Sequence, residues 1–155
     1  MAAHFEHSQV IDRPVTDVFN FYARDHVRNH PRWDPDIHLE LITDAPIQVG
    51  TIIRRRNSRF GTPVEGSMEV VEFEPDRSLA MKILDGPKEM YGRTTFTAID
   101  DQRTRLTTYI DIPDMDDTQE ARSFLMSRLE RSAEIRKHLM ETEIPEYSAS
   151  VVKKS

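Results

Sequence analysis

The middle of this chain alternates between apolar and polar side chains with a period of two residues, from Ile37 to Ile112. Turn-forming residues such as Pro46 and Gly86 divide the alternation into short segments. A period of two is typical of β-strands that have one apolar and one polar face. Because one face would then be wet, the pattern favours a single antiparallel sheet over the centre of a sandwich.

Other elements precede this region. Phe5–Ile11 alternates and is predicted to form the first strand. Apolar residues then recur at helical spacing over Pro14–Arg24, which predicts an amphipathic helix. A second, shorter helix is predicted over Asp25–Asn29, because Pro31 and Pro35 follow it and should turn the chain.

A long helix is predicted after the strands, over Thr118–Glu143, with Asp117 and Glu120 as the capping signature at its start. Ser132 and Arg136 interrupt its apolar stripe. The stripe comprises Ala121, Phe124, Leu125, Leu129, Ala133, Leu139 and Met140. Such a helix measures roughly 36 Å, which is enough to cross a whole sheet. A straight helix cannot touch a bent sheet along its full length, so we expect a ligand cavity between them.

The order of these elements predicts an α+β protein. Its curved antiparallel sheet of about seven strands would wrap around the long C-terminal helix, with two short helices after the first strand. We assign residues 1–145 to a single domain, since 155 residues suit one domain of ordinary size. Residues 146–155 show no periodicity and are predicted to form a flexible tail.

Composition narrows the classes of function. With 31% charged and 37% hydrophobic residues, the chain has a globular balance. A net charge of -6 argues against nucleic acid or an anionic membrane as the main partner. Cysteine is absent, which excludes disulfides and thiolate metal sites, and no apolar run is long enough for membrane insertion. We therefore expect a cytoplasmic protein, and nothing in the sequence supports a particular oligomeric state.

Arg55 is the exception in the alternation. A hairpin that turns at residues 59–63 would place Ile53, Gly66 and Met68 on its apolar face, and parity places Arg55 with them, opposite Gly66. An unpaired buried charge is very costly, so an inward arginine needs a partner or a ligand. Arg55 is therefore predicted either to contact a cavity ligand or to pair with an acidic neighbour.

Other polar residues share the inward face with Arg55. His7 and Gln9 point inward by parity, and Thr94 and Thr108 are expected to join them. In a catalytic interpretation, Arg55 stabilises an enolate as an oxyanion hole does, and His7 carries the proton near neutral pH. In the alternative interpretation, Arg55 is neutralised or reaches the cavity mouth, and His7 lies near the sheet edge.

The predicted ligand-binding residues combine these polar groups with apolar and aromatic ones. They are Gln9, Tyr22, Trp33, Ile53, Met68, Met81, Thr94, Phe96, Thr108, Phe124 and Arg136. Tyr22 and Trp33 either stack on an aromatic ligand or, in the case of Trp33, fill the gap between the short helices and the sheet. Arg136 either faces the cavity or reaches solvent at the margin of its helix.

Two further groups are assigned to the surface. His26 and His30 have the spacing of two metal ligands, but the nearby prolines would break the helix that aims them, so a solvated loop is favoured and no metal site is predicted. Arg54, Arg56 and Arg59 are expected on a solvated sheet face, where glutamates on the partner strand neutralise them. No cofactor is predicted, because the sequence lacks a nucleotide-binding glycine loop.

Several local segments, with the order of elements, resemble the START-like superfamily (SRPBCC, the birch-pollen allergen fold). Its bacterial members are often labelled polyketide cyclase/dehydrase. The matching segments are Val10–Phe19, Pro31–Pro35, Val49–Thr51 and Val70–Pro75, together with the closing helix. The resemblance covers about residues 5–145 and implies a helix-grip fold with an internal cavity for an apolar or aromatic small molecule.

Three functional hypotheses follow. The first is binding of a small hydrophobic or aromatic molecule in the cavity. The second is a cofactor-independent polyketide aromatase/cyclase or dehydratase that uses acid–base chemistry. The third is a protein-interaction module whose outer surface matters more than its cavity. No motif of the resembling family transfers catalytic residues to numbered positions in this chain.

Overall fold

A seven-stranded antiparallel sheet forms the body of the protein in the computed structural model, which describes residues 3–59, 61–115 and 118–146. The strands are β1 (Ala3–Ile11), β2 (Ile37–Leu41), β3 (Ile52–Asn57), β4 (Val64–Glu74), β5 (Ser78–Asp85), β6 (Lys88–Asp100) and β7 (Arg103–Ile112). Their order across the sheet is β1-β7-β6-β5-β4-β3-β2, so β1 and β2 form the edges. The predicted helix-grip architecture is confirmed.

Short helices connect β1 to β2, as predicted. They are α1 (Val15–Phe19), a π-helical turn (Asn20–Arg24) and α2 (His26–Trp33). The prediction that α2 ends before Pro31 is wrong, because the helix continues through that proline to Trp33. Trp33 is buried against the core and Arg32 pairs with Glu143, so tertiary contacts hold the last turn of α2 despite the missing N–H.

The long helix α3 (Gln119–Glu143) closes the fold and contacts both β1 and α2. Its N-cap is Thr118, whose side chain accepts a hydrogen bond from the backbone N–H of Ala121 at 3.1 Å. The predicted cap Asp117 lies outside the described residues, as does the predicted tail beyond Glu146. Within the described ranges, no helix is long and apolar enough to cross a bilayer.

Two apolar clusters pack between the sheet and the helices. The larger cluster surrounds Phe19 and Met140, and the smaller one surrounds Phe5 and Met115. Phe19 packs edge-on against Phe96 at a centroid distance of 5.1 Å, which fixes α1 on the sheet. The C-terminal part of α3 therefore packs against a dense apolar core. The part of α3 that precedes it borders the cavity described below.

The predicted register of the β3–β4 hairpin agrees with the structure. Arg55 lies opposite Gly66, and Ile53 lies opposite Met68. Gly66 also lies opposite Asp85 on β5, so Arg55, Gly66 and Asp85 form one row across three strands. Because paired residues share a face of the sheet, the guanidinium of Arg55 reaches over Gly66 toward Asp85.

We expect Gly66→Ala to lower the free energy of unfolding by about 2–3 kcal/mol, since overpacking forces the backbone to shift. A Cβ at this position would lie 1.7 Å from the backbone oxygen of Leu84. Gly92→Ala is the matched control, because its Cβ would meet only Ile83 Cδ1 at 3.5 Å. Urea denaturation of both variants tests this expectation, and equal midpoints would contradict it.

Candidate functional site

A cavity of about 160 Å³ lies between the sheet, α2 and α3. Side chains from both apolar clusters form much of its wall. Those contributed by the sheet are Phe5, Met68, Leu79, Met81, Ile83, Ile110 and Ile112. An apolar cavity of roughly 150 Å³ in another protein holds one benzene molecule, so this volume suits a ligand the size of a single ring.

The structure brings most of the predicted site residues together at this cavity. The lining includes His7, Tyr22, Trp33, Arg55, Met68, Met81, Thr94, Thr108 and Arg136. Tyr22 stacks on Trp33 at a centroid distance of 5.2 Å, and its hydroxyl is 2.8 Å from the hydroxyl of Thr94. Trp33 thus fills the gap beside the sheet and also borders the cavity.

Four predicted ligand-binding residues do not lie in the cavity wall. Ile53 is fully buried in the larger cluster, and Phe96 packs there against Phe19 and Tyr22. Gln9 binds the helix, donating to the carbonyl of Ala133 at 2.8 Å. Phe124 is 43% exposed on the outer side of α3. Parity predicts the face of a strand correctly, but it does not predict which part of that face the core fills.

Arg55 follows the interpretation in which it has an acidic partner. Its Nε donates to Oδ1 of Asp85 at 2.7 Å, and Nη2 lies 3.3 Å from Oδ2. Asn57 donates to the same carboxylate at 2.9 Å. Burial alone would raise the pKa of Asp85, but hydrogen bonds and charge from Arg55, with help from Asn57, hold it below its usual value. Arg55 therefore lines the cavity as half of a neutral pair.

Arg136 is the buried arginine without such a partner. It is 5% exposed, so the prediction that it reaches solvent is wrong. Its Nε donates to Oε1 of Gln9 at 2.9 Å, and its guanidinium lies 5.4 Å from the Tyr22 ring and 5.6 Å from the Trp33 ring. No described carboxylate pairs with it, and burial lowers its pKa. Its two terminal nitrogens make no hydrogen bond to the described residues and can donate to an oxygen acceptor.

His7 and Thr108 form a second polar group in the wall. They are register partners on β1 and β7. Nδ1 of His7 and the hydroxyl of Thr108 are buried without a hydrogen-bond partner in the described structure. Burial, followed by the charge of Arg136, lowers the pKa of His7 although Glu130 opposes the shift. Unpartnered buried polar atoms are costly, so both atoms are sites for a ligand or a water molecule.

His26 and His30 are cavity residues, which corrects the prediction of a solvated loop. They lie on the inner face of α2, with Nε2 of His26 located 3.0 Å from Nδ1 of His30. The described ranges contain no group of three or more residues suited to hold a metal ion. The spacing of four residues between His26 and His30 correctly indicates one face of a helix. The helix break expected at Pro31 instead led to the assignment of both residues to a loop.

The remaining charged residues at the cavity link the end of α2, the segment after β3, and α3. Asp34, after α2, accepts a hydrogen bond from Nη2 of Arg59 at 2.6 Å and lies 3.9 Å from Nη2 of Arg128 on α3. Arg128 also pairs with Asp36. The assignment of Arg59 to a solvated sheet face is wrong, because the residue follows β3 and turns inward toward Asp34. Three polar residues on α3 that line the cavity recur every four positions, namely Arg128, Ser132 and Arg136. This spacing indicates that they share one face of the helix.

Comparison with known proteins agrees with this architecture. The model of the family described as polyketide cyclase / dehydrase and lipid transport matches residues 2–141. The chain belongs to this family. No curated protein matches its sequence. The resemblance to the START-like superfamily is therefore confirmed.

Solved structures share the fold at low sequence identity. Ara h 8.0201 superposes with a TM-score of 0.73 and 12% identity over 92% of this chain and 100% of the other. The ZhuI aromatase/cyclase from Streptomyces sp. R1128 has a TM-score of 0.70 and 19% identity over 92% and 93%. Norcoclaurine synthase from Thalictrum flavum, in complex with dopamine and hydroxybenzaldehyde, has a TM-score of 0.70 and 13% identity over 94% and 90%. These similarities show the fold alone.

Proposed function

We propose that the protein binds a small aromatic or hydrophobic molecule that carries a carbonyl or carboxylate oxygen. Arg136 carries this proposal, because its guanidinium is buried at an apolar cavity without a carboxylate partner among the described residues. An unpaired buried charge is unfavourable for stability, and an oxygen ligand would supply the missing acceptors. The family and the norcoclaurine synthase complex are consistent with a small ligand in this fold.

A polyketide aromatase/cyclase or dehydratase is the second candidate. The unpartnered Nδ1 of His7 favours it, since a neutral imidazole beside a ligand can accept a proton. Arg136 would polarise the carbonyl in that case, because Arg55 is already neutralised by Asp85. Multi-ring substrates require pockets of roughly 300 Å³ or more, so α3 would have to move outward to admit one. The third hypothesis, an interaction module, would be favoured by a collapsed cavity, whereas the described residues enclose a cavity of about 160 Å³.

Titration with benzoate, benzaldehyde and toluene, followed by ¹⁵N–¹H NMR, tests the binding proposal. These probes share one ring and differ in the oxygen group. We expect saturable shifts at residues that line the cavity, with the two oxygen-bearing probes binding about 10-fold more tightly than toluene because charged hydrogen bonds contribute about 1.5–3 kcal/mol. Equal affinities, or shifts confined to the outer sheet face, would contradict it.

A further inference from the structure

We propose that the His26–His30 pair, which lines the cavity, presents a single hydrogen-bond acceptor, Nε2 of His30, to a hydroxyl group on the cavity ligand. This inference rests on the proposed function, because it adds a second polar group to the same ligand. It also gives a role to two residues that neither the family model nor the charge pattern assigns.

The tautomer of His26 is set by the backbone. Its Nδ1 lies 2.8 Å from the carbonyl oxygen of Tyr22, and a carbonyl oxygen only accepts, so Nδ1 carries the hydrogen. Burial lowers the pKa of His26 to about 4, so the ring is neutral near pH 7. A neutral imidazole has one N–H, and Nε2 of His26 is therefore an acceptor.

The tautomer of His30 follows from that of His26. Its Nδ1 lies 3.0 Å from Nε2 of His26, which has a lone pair, so Nδ1 of His30 must be the donor. Burial, with positive charge from Arg55, Arg136 and Arg59, lowers the pKa of His30 well below its usual value and keeps this ring neutral too. The lone pair of His30 is consequently on Nε2.

Nε2 of His30 is free to accept a hydrogen bond. It makes no hydrogen bond to any described residue, and His30 forms part of the cavity lining. The ring cannot turn away easily, because it stacks on Trp33 at a centroid distance of 5.6 Å and an interplanar angle of 25°. Its other nitrogen is fixed by His26, whose ring centroid is 4.7 Å away. An oriented lone pair of this kind accepts from an O–H and repels an anionic oxygen.

Donor and acceptor together specify the ligand class. The terminal nitrogens of Arg136 supply donors, whereas Nε2 of His30 supplies an acceptor, and both residues line the same cavity. A neutral phenol or enol that also bears a carbonyl oxygen satisfies both. A hydroxylated aromatic carbonyl compound is the simplest member of this class at the size of one ring.

Long-range ¹⁵N–¹H NMR of the unliganded wild type tests the proton arrangement without any variant. At pH 7 we expect Nδ1–H and a bare Nε2 on both His26 and His30. Addition of 4-hydroxybenzaldehyde should shift the Nε2 resonance of His30 toward the value of a hydrogen-bonded nitrogen. An Nε2–H tautomer or an imidazolium at His30 would overturn the proposal.

Paired ligands and variants test the contact itself. In the wild type, 4-hydroxybenzaldehyde should bind roughly 3- to 10-fold more tightly than 4-methylbenzaldehyde, as one net hydrogen bond predicts. His30→Phe keeps a ring on Trp33 and should abolish that ratio, whereas His138→Phe, at an exposed position of α3, should preserve it. If the methyl compound binds and the hydroxyl gives no advantage, this inference fails alone. If neither aldehyde binds, the proposed function fails with it.

Discussion

Asp85→Ala is expected to lower the free energy of unfolding by about 3–5 kcal/mol, the usual cost of leaving one charge of a buried pair uncompensated. The Arg55 and Asp85 side chains are 5% and 11% exposed, so water cannot replace the lost carboxylate. Arg55 would also lose both of its hydrogen bonds to that group. Denaturant unfolding followed by circular dichroism measures the change.

Glu40→Ala is the matched control for this experiment. It removes the acidic partner of Arg54 in a pair whose side chains are both 64% exposed, and such pairs contribute about 0–1 kcal/mol. The double variant Arg55→Met/Asp85→Ala should recover at least half of the loss, because it leaves no uncompensated charge at this position. Asn57 lacks its acceptor in both Asp85 variants, so its effect cancels. A cost for Asp85→Ala no larger than that for Glu40→Ala would refute the explanation.

The same pair predicts how stability responds to acid. The pKa of Asp85 is lower in the folded protein than its ordinary value. A depressed carboxyl pKa contributes stability that is present above the unfolded pKa and is lost as the pH falls through the folded pKa. The wild type should therefore lose more stability than Arg55→Met/Asp85→Ala when the pH is lowered below about 4.

Arg136→Met is expected to weaken benzoate binding by about 10- to 100-fold, because a charged hydrogen bond contributes about 1.5–3 kcal/mol. The free energy of unfolding should stay within about 1 kcal/mol of the wild-type value. Methionine removes the hydrogen bond to Gln9 and the ring contacts, but it also removes the cost of desolvating a charge that pairs with no described carboxylate. Calorimetric titration and denaturant unfolding measure the two quantities separately.

Arg54→Met, on the exposed outer face of the sheet, is the control for lost positive charge. It should leave benzoate affinity within about twofold, since screening weakens distant exposed charges. Toluene affinity should hardly change in Arg136→Met. If Arg136→Met instead destabilises the protein by several kcal/mol and binds benzoate normally, Arg136 is a structural residue and the proposed function loses its main support.

Local patterns predicted the elements well because each depends on neighbours in the chain. The alternation from Ile37 to Ile112 indicated a one-sided sheet, and the spacing of apolar residues in α3 indicated a single long helix. Arg55 was correctly placed opposite Gly66, since a hairpin connects the two strands and sets their register. Local patterns gave a wrong prediction where a tertiary contact outweighed them. At Pro31, for example, the buried Trp33 keeps the helix intact.

The candidate site was predicted less completely, because its chemistry depends on which polar groups meet. Asp85 belongs to a strand separated from Arg55 by another strand, so no local pattern connected them. Arg59 was assigned to the surface, because no local pattern indicates that Asp34 lies beside it. Predicting that Arg136 lies at the cavity, with no carboxylate partner among the described residues, would have required the position of α3 relative to β1.

The amino-acid pattern alone determined that this chain forms a one-sided antiparallel sheet with a long closing helix, and that an arginine points into its apolar face. Burial of apolar surface enforces those features through periods of two and 3.6 residues. The packed structure decided which buried arginine is neutralised, because Asp85 lies beside Arg55, whereas Arg136 contacts Gln9 and pairs with no carboxylate among the described residues. Electrostatic energy inside a protein depends on distances of a few ångströms between residues far apart in the chain, and only folding sets those distances.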